Sequence, residues 1–249
     1  MSVLNDLVGY KNLKIYQEPD WFSFSLDSVL LPNFVSLNKN IKVIMDLCCG
    51  NAPIPLILST KTNAKIIGVE LQEDVYKLAK DSVEYNKLES QIEIVNMNIK
   101  DLKNKYSGDS IDVITCNPPY FKYLETSNIN EDIHKVIARH EKEMTLDEIV
   151  DISHCLLKNN GVLSMVHRTD RLIEIIKTFN KYNLEVKKIR FIYPKEGSES
   201  NMILIEWKKN GNTGIKVLPP LYVHNEDGSY RDEVLEMFEG WYYDKTKKL

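Results

Sequence analysis

Residues 43–53 read Val43-Ile44-Met45-Asp46-Leu47-Cys48-Cys49-Gly50-Asn51-Ala52-Pro53, and this stretch decides the fold. Its apolar start is typical of a buried strand. The strand ends near the carboxylate of Asp46 and passes into a tight turn. Pro53 and Pro55 then fall in the first turn of a predicted helix, where a missing N–H has no cost. The stretch therefore predicts a strand, a tight turn and a helix in direct succession.

A second strand follows at Ile66-Ile67-Gly68-Val69-Glu70, and it also ends in a carboxylate. An acidic residue about 20 positions after such a turn is suited to holding ribose hydroxyls in a doubly wound fold. A nicotinamide dinucleotide enzyme is the rival interpretation. It is disfavoured because the sequence has no intact G-x-G-x-x-G here and because Pro53 lies where a pyrophosphate needs free helix N–H groups.

The rest of the chain continues the alternation of strands and helices. Thr145-Leu146-Asp147-Glu148 forms a capping box that opens a later helix. Asn159-Asn160 is predicted to stop that helix, with a strand starting at Gly161. Alternation of this kind predicts an α/β fold in which a mostly parallel sheet has helices on both faces. The predicted strands are 43–47, 66–70, 92–96, 111–116, 161–167, 184–192 and 201–207.

The fourth of these strands leads into Asn117-Pro118-Pro119-Tyr120. Two consecutive prolines fix two φ angles and donate no backbone N–H, and the residue before a proline is extended. The Asn117 side-chain amide and the Pro118 carbonyl are therefore presented as rigid acceptors, and Tyr120 adds a flat aromatic surface. Such a corner suits a planar ring with an exocyclic amine. The alternative interpretation is an ordinary turn that ends a strand.

A segment without clear periodicity, residues 121–144, follows the tetrapeptide, and loops of this length are usually functional or disordered. It carries Lys122, Lys135, Arg139, His140 and Glu141. We expect a lid over the target that supplies charge to a phosphate backbone. The alternative is a short helix whose charges are solvated.

Length and composition fit one large domain, or one domain with a small appendage, since 43% of the 249 residues are apolar. The start of the chain lacks the pattern of a secretion signal, and no uncharged apolar run approaches the roughly 18 residues of a membrane span. The four cysteines match no zinc spacing, and the adjacent Cys48 and Cys49 are typical of small buried residues in a reducing compartment. We therefore expect a soluble cytoplasmic protein with no metal and no membrane partner. The net charge of −4 argues mildly against a large nucleic-acid footprint.

These segments together resemble the class I S-adenosylmethionine-dependent methyltransferases. The 43–53 stretch is similar to their Asp-x-Gly-x-Gly-x-Gly loop, Glu70 to their ribose-binding acid, and the tetrapeptide to their amine-methylating signature. Cys48 and Ala52 replace two of the loop glycines, and both tolerate positive φ less readily than glycine. The resemblance implies a seven-stranded Rossmann-like sheet with an antiparallel edge pair. It also implies S-adenosyl-L-methionine as cofactor, held by Ser25, Asp27, Asp46, Cys48, Gly50, Asn51, Glu70, Leu71, Asn98 and Ile99.

The same resemblance implies the domain organisation. Residues 1–42 are expected to form an N-terminal extension that closes over the cofactor site, and 43–249 the methyltransferase domain with an appendage from about residue 215. Within the extension, a purely local alternative is that Ser25 or Asp27 caps an apolar helix. Asn98 stands where the superfamily usually has an Asp for the adenine amine, and its carbonyl oxygen can still accept.

Further patches are similar to one bacterial family, the valine tRNA adenine-N6-methyltransferases, which modify position 37 beside the anticodon. They include Phe24-Ser25-Leu26-Asp27-Ser28-Val29-Leu30-Leu31, Ala138-Arg139-His140-Glu141 and residues 46–51, 216–223 and 228–230. The resemblance spans about residue 9 to 240 and implies the anticodon loop of a tRNA as substrate. It implies catalytic roles for Asn117, Pro118 and Tyr120, and substrate contacts for Pro119, Phe121, Lys122, Arg139 and His140.

Two alternatives stay open. One is a glutamine-methylating enzyme that acts on a protein, although residues 1–42 are too short for the helical recognition domain that such enzymes usually carry. The other is a non-catalytic cofactor- or RNA-binding module whose glycine loop has decayed.

Overall fold

The computed structural model describes residues 2–7, 10, 12–18, 25–118 and 145–238. Within these ranges the strands are β1 Val3–Asp6, β2 Lys14–Gln17, β3 Val43–Leu47, β4 Lys65–Glu70, β5 Ile92–Asn96, β6 Ile111–Cys116, β7 Leu157–Arg168, β8 Leu184–Tyr193, β9 Met202–Lys209, β10 Lys216–Val217 and β11 Leu221–Tyr222. The helices are α1 Asp27–Phe34, α2 Pro53–Ser59, α3 Glu73–Tyr85, α4 Leu102–Lys105, α5 Leu146–Leu156, α6 Leu172–Asn180 and α7 Asp232–Phe238.

The central sheet has the strand order β10-β8-β9-β7-β6-β3-β4-β5, and β11 also pairs with β8. All neighbours are parallel except that β9 runs antiparallel to both β7 and β8. The predicted α/β fold is therefore confirmed, with two two-residue strands added at one edge. The chain turns from β4 on one side of β3 to β6 on the other, and ligands bind at such a switch point, outside the carboxyl ends of the strands.

Side-chain alternation divides the core between the two faces of the sheet. Ile44 and Val113 belong to a cluster covered by α1, α2 and the N-terminal hairpin. Met45 and Ile114, their chain neighbours, belong to a cluster covered by α5 and α6. The N-terminal segment thus contributes buried side chains to the first of these two core clusters. No helix within the described ranges is long and apolar enough to cross a bilayer.

Strand β7 starts earlier than predicted, and Asn159-Asn160 does not stop a helix. Helix α5 ends at Leu156, and Leu157 is already extended and pairs with Ile111. The register shifts between Ile111 and Val113, and Asn160 has a φ of 64° within this irregularity. The two asparagines therefore mark a bulge inside one long strand.

The hairpin of β1 and β2 was not predicted from the sequence. Among the described residues no strand pairs with the outer edge of β2, and side chains from the C-terminal end of α3 take that place. The Asn86 amide accepts from Lys14 N at 2.9 Å and donates to Lys14 O at 2.7 Å. The Ser82 hydroxyl accepts from Tyr16 N at 2.9 Å. Because these partners lie 66–72 residues away in the chain, no local pattern announces the strand.

The predicted capping of α1 by Ser25 or Asp27 is wrong. The N-cap residue is Leu26, which has no side-chain acceptor. Backbone carbonyls satisfy the first amides instead, since Ser28 N donates to Ser25 O at 3.1 Å and Val29 N donates to Leu26 O at 2.9 Å.

Candidate active site

The predicted cofactor residues from three strands meet at the carboxyl edge of the sheet. Asp46 lies near the end of β3 and the loop 48–52 follows that strand, Glu70 ends β4 and Leu71 follows it, and Asn98 lies just after β5. Leu47 of β3 is the Cα partner of Cys116 of β6. Asn117, the residue after Cys116, therefore leaves the sheet directly beside the loop that begins at Cys48.

The loop after β3 keeps the backbone of a glycine loop although two of its glycines are replaced. Cys48, Gly50 and Ala52 have φ angles of 61°, 56° and 73°. A non-glycine residue in this left-handed region costs about 1–2 kcal/mol. The surrounding contacts must supply that energy, and Cys49 N contributes by donating to Val69 O at 2.9 Å.

Glu70 fastens this loop to the end of β4. Its two carboxylate oxygens accept from Gly50 N at 3.0 Å and from Gln72 N at 2.9 Å. The side chain is buried. Donors of this kind favour the charged form of a carboxyl. Because the Glu70 carboxylate accepts a hydrogen bond from the loop, the loop and the proposed ribose acid are fixed as one unit. A carboxylate offers about four acceptor positions in all.

Asp46 is the most unusual group at this edge. Its side chain is fully buried, and Oδ1 accepts from the Thr115 hydroxyl at 2.5 Å. Oδ2 is also buried, and no group in the described part of the chain hydrogen-bonds to it. The pKa of Asp46 is raised to about 8, mainly by burial; the Thr115 hydrogen bond opposes the rise and the nearby Glu70 adds to it. A buried oxygen without a donor, next to a second carboxyl, is suited to a cationic ligand group.

Two thiols line the inner side of the loop. The hydrogen bond to the Cys116 thiol and burial raise the pKa of the Cys48 thiol well above its usual value. Burial has the same effect on Cys49. All four cysteines of the chain are free thiols. At neutral pH Cys48 and Cys49 are therefore neutral, small packing groups, in agreement with the prediction from the sequence.

Two asparagines near the end of β5 hold the backbone there, and the sequence did not predict these contacts. The Asn98 side chain accepts from Lys100 N at 3.0 Å and so caps the short 3₁₀ turn Ile99–Asp101. Ile99 is buried in the second core cluster. Asn96, which was not singled out, donates to the carbonyls of Glu70 and Leu71 at 3.0 and 2.9 Å. Its position at a strand end was the available signal, and it fixes the backbone after β4.

The N-terminal segment reaches the loop through Asn51. The Asn51 amide donates to Tyr16 O at 2.8 Å, so β2 is tied to the predicted cofactor loop. Ser25 is exposed and Asp27 is buried at the start of α1, which packs against α2. Helix α1 therefore lies against α2, the helix that follows the loop 48–52.

The substrate side of the site is only partly within the described residues. Asn117 is half-buried and Pro118 is buried. The predicted site residues that lie outside the described ranges are Pro119, Tyr120, Phe121, Lys122, Arg139 and His140.

Gly68 explains why the loop can lie so close to β4, and it gives a first prediction. A Cβ at this position meets Ile94 Cδ1 at 2.8 Å and Cys49 Sγ at 2.9 Å. Gly68→Ala is therefore expected to lower the free energy of unfolding by about 1–3 kcal/mol, measured by urea denaturation. Adding Cys49→Ala removes the sulfur, and the double variant should recover part of this loss. Wild-type stability of the single variant contradicts the packing argument.

Comparison with known proteins agrees with this geometry. The chain is similar to the tRNA1(Val) (adenine(37)-N6)-methyltransferase of Flavobacterium psychrophilum, with 23% identity over 240 residues, 95% of this chain and 99% of that one. A solved structure described as a predicted O-methyltransferase from Agrobacterium tumefaciens has a TM-score of 0.69 at 16% identity, covering 86% of this chain and 96% of that one. Geranyl diphosphate C-methyltransferase from Streptomyces coelicolor, solved with S-adenosyl-L-homocysteine, has a TM-score of 0.56 at 9% identity, covering 73% and 79%. These structural likenesses bear on the fold alone. The family model described as "Methyltransferase domain" matches residues 37–213, and the chain belongs to that methyltransferase family.

Proposed function

We propose that this protein transfers a methyl group from S-adenosyl-L-methionine to the N6 amine of an adenine in tRNA, at position 37 of a valine tRNA. The observation that carries the proposal is the register of β3 and β6, in which Leu47 faces Cys116. It sets the rigid acceptor corner at Asn117 directly beside the loop predicted to hold the cofactor. The name of the relative from Flavobacterium psychrophilum supports the same reaction.

The chain's own residues fit the cofactor. Its methionine end carries a cationic amine, which suits Asp46 Oδ2, the buried oxygen to which no described group hydrogen-bonds. Its ribose hydroxyls suit Glu70, whose carboxylate two backbone amides hold in place. When bound, the cofactor supplies an electrophilic methyl group on a positively charged sulfur. The match of residues 37–213 to the methyltransferase domain model supports this assignment.

Asn117 and Pro118 act on the amine. An aromatic amine is a weak nucleophile because its lone pair is conjugated with the ring. Two fixed acceptors, the Asn117 side-chain oxygen and the Pro118 carbonyl, hold its hydrogens out of the conjugating geometry and stabilise positive charge as it develops on nitrogen. Holding the amine in line with the methyl group contributes through orientation.

Recognition of the base rests on residues around this corner. Tyr120 is proposed to stack on the adenine, which is worth about 1–3 kcal/mol. Pro119, Phe121, Lys122, Arg139 and His140 are proposed to contact the RNA. Bases of an anticodon loop are unpaired, so moving one into a pocket needs less energy than extraction from a duplex. A small protein footprint then suffices, which agrees with the net charge of −4.

The N-terminal segment is proposed to close over the cofactor from the other side. The hydrogen bond from Asn51 to Tyr16 O supports this role, because it joins the hairpin to the loop. A protein that modifies tRNA is expected to work in the cytoplasm.

The function is tested by methyl transfer to defined substrates. Purified protein is incubated with radiolabelled S-adenosyl-L-methionine and tRNA from cells in which the gene is deleted, and the modified nucleotide is mapped by mass spectrometry. We expect one N6-methyladenine in valine tRNA and no label on tRNA from cells that carry the gene. Label on a glutamine of a release factor, or none on any tRNA, contradicts the proposal.

A further inference from the structure

We propose that Asp46 is a neutral carboxylic acid before the cofactor arrives, that the cofactor's α-ammonium group expels its proton on binding, and that Thr115 is the positioning residue which reserves Oδ2 for that ammonium. This inference rests on the proposed function, since it takes S-adenosyl-L-methionine as the ligand. It adds a proton released on binding, and a role for a threonine that lies outside the loop.

The sheet itself sets the geometry. Asp46 and Thr115 are Cα partners on the parallel strands β3 and β6. The Thr115 hydroxyl donates to Oδ1 at 2.5 Å, and both residues are fully buried. Because Oδ1 accepts this bond, a proton on the carboxyl belongs on Oδ2. That oxygen has no hydrogen-bond partner in the described part of the chain.

The charges around Asp46 oppose its ionisation. Glu70 on β4 lies close enough to raise the pKa of Asp46, after burial as the larger cause. Glu70 itself accepts hydrogen bonds from the amides of Gly50 and Gln72, and such donors favour the charged form of a carboxyl. Among the described residues, the other titratable groups that interact with Asp46 are the loop thiols of Cys48 and Cys49, and Cys48 also contacts the Cys116 thiol of β6. None of the ion pairs in the described residues involves Asp46.

A cation changes this balance. Two carboxylates in one buried site repel each other, and an ammonium beside Oδ2 offsets both the repulsion and the loss of solvation. The ligand therefore binds the ionised form of Asp46 and must displace a proton wherever the free protein is protonated. With the pKa of Asp46 at about 8, affinity falls by about tenfold per pH unit below that value and levels off above it.

Calorimetry measures this proton directly. S-adenosyl-L-homocysteine is the probe because it carries the ammonium without the sulfonium. Its binding enthalpy near pH 7 is measured in phosphate and in Tris, two buffers with different ionisation enthalpies, and the difference gives the protons released. We expect close to one proton per site for the wild type. Asp46→Asn is expected to bind more weakly and to release about one proton fewer, which also corrects for titration of the ligand.

Variants of Thr115 separate positioning from packing. Thr115→Val keeps the volume and removes the donor that lowers the pKa of Asp46. The affinity of this variant for S-adenosyl-L-homocysteine is expected to be lower near pH 7. The pH above which the affinity stops rising is expected to be higher than in the wild type. Thr115→Ser keeps the hydroxyl and should restore the wild-type pH dependence. Thermal melts check that each variant is folded.

The outcomes distinguish the inference from the proposed function. Wild-type binding without proton release, or with the same release from Asp46→Asn, overturns the inference and leaves methyl transfer standing. If Asp46→Asn binds too weakly to measure, a pH profile of Thr115→Val that matches the wild type overturns it. A folded wild-type protein that binds neither S-adenosyl-L-homocysteine nor S-adenosyl-L-methionine overturns both.

Discussion

An Asn117→Ala variant is expected to transfer methyl groups more slowly than the wild type by on the order of 10²-fold or more in kcat. The alanine removes one of the two proposed acceptors, whose proposed role is to withdraw the amine lone pair from the ring and to stabilise charge on nitrogen. The cofactor residues on β3 and β4 are untouched, so cofactor affinity should change little. Single-turnover transfer of a radiolabelled methyl group to tRNA measures the first quantity, and calorimetry measures the second.

The matched control is Asn40→Ala. Asn40 is an exposed asparagine in the loop before β3, at the opposite edge of the sheet. It is expected to keep the wild-type rate. A near wild-type rate for Asn117→Ala contradicts the proposed role of this residue. A loss of cofactor binding in that variant means that Asn117 contacts the cofactor and not the substrate amine.

Sequence patterns predicted those parts of the fold that depend on local signals. The strands at 43–47, 92–96 and 111–116 have the predicted bounds, and the first and third of them are mostly buried apolar runs with clear ends. The capping box at Thr145 forms with both of its hydrogen bonds. The hairpin of β1 and β2 was missed because its pairing depends on distant side chains such as Asn86.

The site shows the same division. The spacing of the loop predicted its glycine-like backbone, and Cys48 and Ala52 adopt positive φ angles despite their side chains. The contact between Asp46 and Thr115 could not be predicted, because it depends on the register between two strands that are 69 residues apart. A buried threonine also has no polar pattern in the sequence that separates it from an ordinary strand residue. Contacts that depend on the register between two strands can therefore be identified only from the structure.

The second large effect concerns stability. The free energy of unfolding of Asp46→Asn, compared with that of the wild type, is expected to increase as the pH rises. The folded pKa of Asp46 is about 8, against a usual value of 3.8. Between these values the native state holds a proton that the unfolded state has lost, so wild-type stability falls as the pH rises. The stabilising contribution of the proton is fully present below the unfolded pKa and is lost as the pH passes the folded pKa. Asparagine does not titrate, so the advantage of the variant should grow by roughly 4 kcal/mol from pH 5 to pH 8.

Asp112→Asn, on the same strand as Thr115, is the control with the opposite sign. Burial acts to raise the pKa of Asp112, but hydrogen bonds from Lys158 and from the amides of Lys42 and Val43 outweigh it, and the net pKa is lowered. That variant should therefore be less stable than the wild type above the usual pKa of the carboxyl and approach it in acid. Urea denaturation at several pH values measures both. If the advantage of Asp46→Asn stays constant with pH, Asp46 is already ionised in the free protein. A growing advantage together with lost cofactor affinity means that the buried acid lowers stability at neutral pH and is retained for the ligand it binds.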